Sequence, residues 1–261
     1  MVSDETIESD RWPFLTRSAR ISESMEIVSG LVGAGALFAA SGTFAWGAVA
    51  PSSQLFGPTI RRTSDPSAIA LTFDDGPNPV ATPQLLELLF RHNVQATFFL
   101  IGERIAVGPS IAREIAERGH TVGNHTYSHP NLTFRTAAEI CDELDRCDDA
   151  IEAAIGRRSR WTRPPFGYRS PSLAGVVRKR GSAGVVMWSR SARDWNPQPA
   201  ETVIHRLRRA RGGDIVLLHD GDHRTPEGDR RHTLAALEYW LPRWKHAGLR
   251  FVTVDDAAKA D

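Results

Sequence analysis

The chain has 261 residues, with 32 Lys and Arg against 31 Asp and Glu, which gives a formal net charge of +1 at pH 7. This length suits one large, catalytic-sized domain. The near-neutral charge argues against a dedicated nucleic-acid binder, because such a protein gains affinity by neutralising phosphates. With 41% hydrophobic and 24% charged residues the composition is that of an ordinary globular protein, and two cysteines exclude a disulfide scaffold.

An uncharged stretch over residues 27–50 separates the first 26 residues from the rest of the chain. It is rich in Ala, Gly, Leu, Val and Phe. At about 1.5 Å of helical rise per residue, it is long enough to cross a hydrocarbon core of about 30 Å. The sequence therefore predicts a polar segment over residues 1–26, a single transmembrane anchor over residues 27–50 and, from its Pro, Ser and Thr content, a linker over residues 51–67.

A cleaved signal peptide is the alternative, because Ala48-Val49-Ala50 has the small-x-small form of a cleavage site. The preceding flank is long and acidic, and Pro51 would follow the cut, so the uncleaved anchor is favoured. Three arginines, Arg11, Arg17 and Arg20, precede the stretch, against Arg61 and Arg62 in the flank that follows it. By the positive-inside rule, this difference weakly predicts an extracytoplasmic catalytic domain.

Strand-like and helix-like segments alternate over residues 68–256. Seven strand candidates begin at Ala68, Val94, His120, Ser159, Val185, Asp214 and Leu249. Helical patterns lie between most of them: Thr82 is predicted to cap one helix, and Thr136 with Glu139 to form a capping box before another. This alternation predicts an α/β fold with a parallel sheet, and seven near-regular units indicate a closed or nearly closed barrel.

Two polar motifs follow predicted strands. Asp74-Asp75-Gly76-Pro77 follows the first strand, and His125-Thr126-Tyr127-Ser128-His129 follows the third. Adjacent acids on an extended stretch point in different directions, whereas histidines four residues apart share a face if the segment is helical. Two histidines and one carboxylate can form a metal site with open positions for water and substrate. Each motif alone is more typical of a turn or a solvated surface, but their shared placement favours a metal.

Three further clusters have the same placement. Arg163-Pro164-Pro165-Phe166-Gly167 follows the fourth strand, Arg193-Asp194-Trp195 follows the fifth, and Leu217-Leu218-His219-Asp220 ends the sixth. The ends of parallel barrel strands converge on one face, where active sites form. Two histidines and a carboxylate alone also fit a non-haem iron oxygenase, but that interpretation leaves Asp74 and the other clusters without roles.

In their residue types and their order along the chain, these five motifs resemble those of the NodB-type polysaccharide deacetylases, also called carbohydrate esterase family four. The resemblance covers about residues 68–254, and Ser191 and Phe166 depart from residues often found in the fourth and third motifs. It implies a distorted, incomplete (β/α) barrel with fewer than eight full strands. It also implies metal-dependent removal of acetyl groups from an N-acetylated glycan such as a chitin oligomer or peptidoglycan.

The resemblance also implies roles for individual residues. Asp75, His125 and His129 match the metal ligands, and the expected cofactor is one divalent ion, Zn²⁺ first and Co²⁺ or another divalent ion as the alternative. Asp74 matches the catalytic base, and Arg163 matches the partner that holds it.

His219 matches the catalytic acid and Asp194 the carboxylate that orients it. The backbone N–H of Phe166 matches a donor to the oxyanion. Trp195 and Tyr127 are candidates to stack on sugar rings, with packing in the core or at the rim as the open alternative.

Two other functions remain open on these residues. An O-acetyl xylan esterase would use the same site. A catalytically silent glycan-binding module is disfavoured, because Asp74 and His219 are both present.

Overall fold

The computed structural model describes residues 39–258. The chain divides into Met1–Ala45 and a larger unit, Trp46–Asp261, which carries the whole sheet. Residues 39–49 are helical (α1). Among the described residues, no helix combines the length and the apolar character needed to cross a membrane. The predicted polar segment and half of the predicted anchor, residues 27–38, lie outside the described residues, so both stay predictions.

The sheet has nine strands, and every pair of neighbouring strands is parallel. The strands are β1 Thr59–Ile60, β2 Ala68–Gly76, β3 Thr97–Leu100, β4 Thr121–Asn124, β5 Trp161–Thr162, β6 Gly184–Val186, β7 Arg190–Ser191, β8 Ile215–His219 and β9 Arg250–Phe251. Their order is β1-β6-β5-β4-β3-β2-β8-β7, with β9 paired to the start of β2. Within the described residues β1 and β7 form the two edges, so the barrel is incomplete, as the family resemblance implies.

Helices connect most of these strands. They are α2 Ala81–Arg91, α3 Gly102–Val107, α4 Pro109–Glu117, α5 Ala137–Ile155, α6 Leu173–Lys179, α7 Ala200–Leu207, α8 Arg231–His246 and α9 Val254–Ala257. The predicted capping box at the start of α5 is confirmed, with Thr136 Oγ1 accepting from the Glu139 N–H and the Glu139 carboxylate accepting from the Thr136 N–H.

The predicted cap of α2 is wrong. The helix begins at Ala81, before Thr82, and the Asn78 side chain accepts from the N–H groups of Val80 and Ala81 at 2.9 Å. Thr82 Oγ1 instead accepts from the Asn78 N–H at 2.8 Å and lies 2.5 Å from a carboxylate oxygen of Asp220. The side chain of Thr82 thus joins the start of α2 to the residue that follows β8.

β2 lies in the middle of the core, and all nine of its residues are buried. Its Phe73 ring stacks on Phe98 of β3 at a centroid distance of 5.0 Å. A central parallel strand is covered by helices on its faces, which explains the nearly continuous apolar run from Ala68 to Phe73. Because β2 is held on both sides by β3 and β8, the acids at its end have a fixed position.

Residues 51–67 are not a free linker, in contrast to the prediction from composition. β1 lies within this segment and pairs with β6. The fully buried guanidinium of Arg169 donates to the carbonyl oxygens of Gly47, Ala50 and Ser53 at 2.6 to 2.9 Å. The sequence pattern could not indicate this packing for two reasons. A two-residue strand shows no periodicity, and the hydrogen bonds to the carbonyl groups of this segment come from one arginine that is distant in the sequence.

Candidate active site and metal centre

A cavity of about 420 Å³ opens where the strands end at their carboxyl termini. Its lining consists of Asp74, Asp75, His125, His129, Phe166, Gly167, Tyr168, Trp188, Trp195, Asn196, Leu217, His219, His223 and Arg224. Seven of the ten predicted site residues are among them. Two more, Arg163 and Asp194, are fully buried behind the wall and contact lining residues. The structure therefore brings nine of the ten together.

The three expected metal ligands converge on one point. Oδ1 of Asp75 lies 3.3 Å from His125 Nε2 and 3.1 Å from His129 Nε2, and all three residues are buried. Ligand atoms around a tetrahedral zinc with bonds of about 2.0 to 2.2 Å are about 3.3 to 3.6 Å apart, and the two separations here lie at or just below the lower end of that range. One oxygen and two imidazole nitrogens are also a donor set that a divalent transition metal accepts.

The tautomer of His125 requires a positive charge at this point. Its Nδ1 lies 2.8 Å from the carbonyl oxygen of Arg163, which only accepts, so Nδ1 carries a proton. In the neutral imidazole, Nε2 then has a lone pair directed at an oxygen of Asp75, and two such atoms attract only if a cation or a proton lies between them. A proton can meet this need, since burial opposes protonation of His125 but Asp74 and Asp75 outweigh it and raise the pKa.

The segment that carries the two histidines is a loop, not the helix on which the shared-face argument depended. Thr126 and His129 have positive φ angles of 68° and 59°, and these turns bring both imidazoles to the same point. The carboxylate of Glu143 in α5 accepts from the N–H groups of Tyr127 and Ser128 at 3.0 and 2.9 Å and so holds the loop. The sequence analysis missed Glu143 because this residue lies in α5, outside the histidine motif and separated from it by a loop.

Asp74 and Asp75 do not alternate as they would on a regular strand. The register of β2 against β3 shifts between Asp74 and Gly76, and Asp75 has φ 69°. Both carboxylates therefore line the same cavity, although adjacent residues of an extended strand point in opposite directions. Burial opposes ionisation of Asp75, but the imidazoles of His125, His129 and a further residue, His223, face its oxygens and hold the pKa of this carboxyl well below its usual range.

Arg163 holds the second carboxylate. Its Nη1 donates to Asp74 Oδ1 at 2.8 Å and to Thr72 Oγ1 at 2.7 Å. Its other nitrogens donate to the carbonyl oxygens of Val186 and Met187 at 3.2 Å. The guanidinium is fully buried and all its nitrogens have acceptors, so it holds Asp74 beside the expected metal ligands and leaves the second oxygen of Asp74 free of this ion pair.

His219 is the register partner of Asp74 on the adjacent strand β8, and a carboxylate buried behind the cavity wall holds it. His219 Nδ1 lies 2.9 Å from Asp194 Oδ1, and Asp194 Oδ2 accepts from the His219 N–H at 3.0 Å and from Thr233 Oγ1 at 2.7 Å. Burial lowers the pKa of His219, but the Asp194 carboxylate outweighs it and raises that pKa to about 9. His219 is therefore a protonated group at neutral pH, held in place by its partner.

The three expected substrate contacts differ in position. Phe166, at φ 58°, and Trp195 both line the cavity and are about half exposed. Tyr127 does not line it, and its position matches the packing alternative that the sequence left open. The Arg146 guanidinium covers its ring at 3.9 Å, and the ring packs at Gly102 against the main core. The turn at Thr126 directs this side chain away from the cavity.

His223 is the main cavity residue that the sequence analysis missed. Its Nδ1 lies 3.6 Å from Asp75 Oδ2, and its ring stacks on His129 at a centroid distance of 4.4 Å. The residue lies four positions after His219 in the connection to α8. Its only sequence signal was this proximity to a strand end.

The site places a cation-binding point, a free carboxylate and a protonated histidine around one cavity at the end of a parallel half-barrel. This arrangement can activate water, accept its proton and protonate a leaving group, which is the chemistry of a metal-dependent hydrolase.

Comparisons with known proteins identify the family. The polysaccharide deacetylase family model matches residues 61–185. A chitooligosaccharide deacetylase from Azorhizobium caulinodans is 40% identical over 203 residues, covering 75% of this chain and 96% of the relative. A peptidoglycan-N-acetylglucosamine deacetylase from Bacillus cereus is 37% identical over 190 residues, covering 72% and 86%. A crystal structure of a peptidoglycan N-acetylglucosamine deacetylase matches with TM-score 0.70 at 32% identity, covering 76% of this chain and 92% of that chain.

The chain belongs to the polysaccharide deacetylase family, which is carbohydrate esterase family four, and the resemblance seen in the five motifs is confirmed. It is an enzyme of that family, whose named members act on amide bonds in glycans. Its parallel-strand half-barrel matches the family fold. Members of this family use a divalent metal, which confirms the class of cofactor that the sequence predicted.

Proposed function

We propose that this enzyme hydrolyses the N-acetyl groups of a glycan of the chitin-oligomer or peptidoglycan type. The relatives named for these two substrates support the glycan class. The observation that carries the proposal is the convergence of Asp75, His125 and His129 on one point, in a cavity that Asp74 and His219 also line.

In this proposal Asp75, His125 and His129 hold one divalent ion, with Zn²⁺ as the first expectation and Co²⁺ as the alternative. When bound, such an ion lowers the pKa of a water molecule to about 7 and polarises a carbonyl oxygen. Asp74 accepts the proton of the attacking water. Arg163 fixes the orientation of that carboxylate through the 2.8 Å hydrogen bond to Asp74 Oδ1.

The remaining residues complete the hydrolysis. The backbone N–H of Phe166 stabilises the negative charge on the acetyl oxygen after attack. The carbon–nitrogen bond then breaks, and His219 donates its proton to the departing sugar amine, so the products are acetate and a free amino sugar. Asp194 holds His219 in the protonated form, and Trp195 at the rim offers a flat surface to a sugar ring.

The test is acetate release from a panel of N-acetylated and O-acetylated glycans. The proposal expects release from chitin oligomers or peptidoglycan and less from acetylated xylan. Release from acetylated xylan alone would identify an O-acetyl esterase with the same site. Release from none of them, with intact folding, would favour a glycan-binding module.

Removal of the metal should abolish activity. After dialysis against a chelator, the enzyme is expected to release no acetate above background, and stoichiometric Zn²⁺ or Co²⁺ should restore it, because the attacking water depends on the ion. The measurement is turnover against added metal per protein. Full activity of a chelator-treated protein with no metal by elemental analysis would contradict the proposal.

We also propose that the part of the predicted anchor, residues 27–50, that precedes the Arg169-bound Gly47 holds the enzyme in a membrane, with its catalytic domain on the extracytoplasmic side. The uncharged 24-residue stretch supports the anchor. An extracytoplasmic domain would also have access to cell-wall glycans.

Fractionation of cells that produce the full chain tests the anchor. The protein is expected to sediment with membranes and to resist alkaline extraction, whereas a variant that lacks residues 1–45 should be soluble. This deletion keeps the carbonyl groups of Gly47, Ala50 and Ser53, which Arg169 binds, so the domain should stay folded. Recovery of a soluble product beginning at Pro51 would show a signal peptide instead.

A further inference from the structure

A fourth histidine faces the proposed metal centre from a different loop. His223 lies between β8 and α8, and its side chain is 31% exposed, whereas those of His125 and His129 are only 2% and 5% exposed. Its ring is nearly parallel to that of His129, at an interplanar angle of 17°, and the edge of the Phe166 ring lies 5.2 Å away. These contacts fix the plane of the His223 imidazole beside the ligands.

The two oxygens of Asp75 have different neighbours. Oδ1 lies 3.1 and 3.3 Å from the Nε2 atoms of His129 and His125, while Oδ2 lies 3.6 Å from Nδ1 of His223. Carboxylates that bind a metal are in turn held by hydrogen bonds from outer residues. His223 is the nearest charged or ionisable group to Oδ2 among the ion pairs of the described residues.

The loop that carries His223 is itself fixed. Arg230, which is almost fully buried, donates from Nε to the Gly221 carbonyl oxygen at 2.7 Å and from Nη2 to that of Trp195 at 3.2 Å. The Asp222 carbonyl oxygen accepts from Arg104, and the Asp222 carboxylate accepts from the Arg224 N–H at 2.9 Å. The backbone on both sides of His223 is therefore held before any ligand binds.

We propose that His223 donates a hydrogen bond from Nδ1 to Asp75 Oδ2 and so orients this carboxylate for metal binding. Closing the 3.6 Å separation to an ordinary hydrogen bond takes a shift of about 0.5 Å. His223 is then a positioning residue and not itself a ligand. The inference rests on the proposed metal centre of Asp75, His125 and His129.

The experiment measures the affinity of the full-length, metal-depleted protein for Zn²⁺ in competition with a chromophoric chelator. His223→Ala is expected to weaken Zn²⁺ binding by about 10- to 100-fold, the usual effect of losing such an outer partner. His223→Asn places an amide N–H near the position of Nδ1 and should recover most of that loss. His205→Ala, at an exposed histidine of α7, is the matched control and should bind as the wild type does.

Two further readouts separate the possible failures. His129→Ala should lose the site altogether, and wild-type affinity in that variant would refute the metal centre itself. If His129→Ala fails to bind while His223→Ala binds as tightly as the wild type, only the role of His223 is refuted. Equal weakening in the Ala and Asn variants would refute the hydrogen bond.

The visible spectrum of the Co²⁺-loaded protein tests whether His223 is a ligand. The ligand set is unchanged in the proposal, so the bands of His223→Ala should keep their shape and intensity at saturating Co²⁺. A change in these bands would make His223 a direct ligand and overturn the positioning role. Turnover at saturating metal should return to within a few-fold of the wild type.

Discussion

Replacing Asp74 with Asn is expected to slow acetate release by ~10²- to 10⁴-fold, the usual contribution of a positioned general base, while the bound metal stays at its wild-type level. The reason is that Asp74 contacts Arg163 but is not among the three converging ligands. An Asn side chain still accepts the hydrogen bond from Arg163, so the fold should be kept. Two measurements are needed. The first is turnover at saturating substrate, and the second is the amount of metal bound per protein, by elemental analysis.

The neighbouring substitution, Asp75→Asn, should behave differently. It removes the charge that faces His125 and His129, so metal occupancy should fall together with activity. Restoring metal at high concentration should recover part of the activity of Asp75→Asn and none of that of Asp74→Asn. Equal loss of metal in both variants would contradict the division of roles between these adjacent acids.

The order of the elements was predictable because each strand that builds the centre of the sheet is an apolar run. All seven predicted strands are present in the structure, and the run before Asp74 is completely buried. β1 and β7 were missed, because two residues show no period and their pairing depends on β6 and β8. The predicted cap at Thr82 failed for a related reason, since a tertiary contact to Asp220 determines where that side chain points.

The site could be predicted as a set of residues but not as a geometry. Parallel strands end on one face, so motifs at their ends were expected to meet. Their convergence depends on positive φ angles at Asp75, Thr126, His129 and Phe166, which are uncommon for residues other than glycine. Such conformations cost about 1 to 3 kcal/mol each and cluster at functional sites. No local sequence pattern predicts them, since the surrounding packing imposes them.

Tyr127 and His223 show the consequence of this limit. Both lie close to motif residues in the sequence, yet the turn at Thr126 sends Tyr127 under Arg146, while the connection held by Arg230 brings His223 to Asp75. Proximity to a motif in the sequence did not show which of the two side chains lines the cavity, because the backbone path decides it.

Asp194 should control the pH range over which the enzyme works. Its carboxylate outweighs the effect of burial and raises the pKa of His219 to about 9, so the proton needed by the leaving amine is present at neutral pH. The protonated fraction falls as the pH rises through that pKa. Activity of the wild type should therefore decline on the alkaline side when His219 loses its proton.

Asp194→Asn removes this charge but keeps an oxygen that can accept from Thr233 and from the His219 N–H. The pKa of His219 should fall, and the alkaline limb of kcat/KM should move to lower pH, with turnover at pH 8 reduced by ~10²- to 10⁴-fold as for loss of a general acid.

The same linkage predicts an effect on stability. Because the folded-state pKa is raised above 6.5, the stabilisation by the Asp194–His219 pair is complete below about pH 6.5 and is lost as the pH rises through about 9.

The double variant distinguishes the proton donor from a general structural effect. If Asp194 acts through the proton of His219, then adding Asp194→Asn to His219→Ala should cost little further activity, because the two substitutions remove the same function. The loss in His219→Ala should also be larger for amide substrates than for esters, since an amine leaves less readily without a proton. pH profiles for acetate release from both substrate types supply the measurement. An alkaline limb that stays at the wild-type pH in Asp194→Asn would remove His219 from the role of catalytic acid.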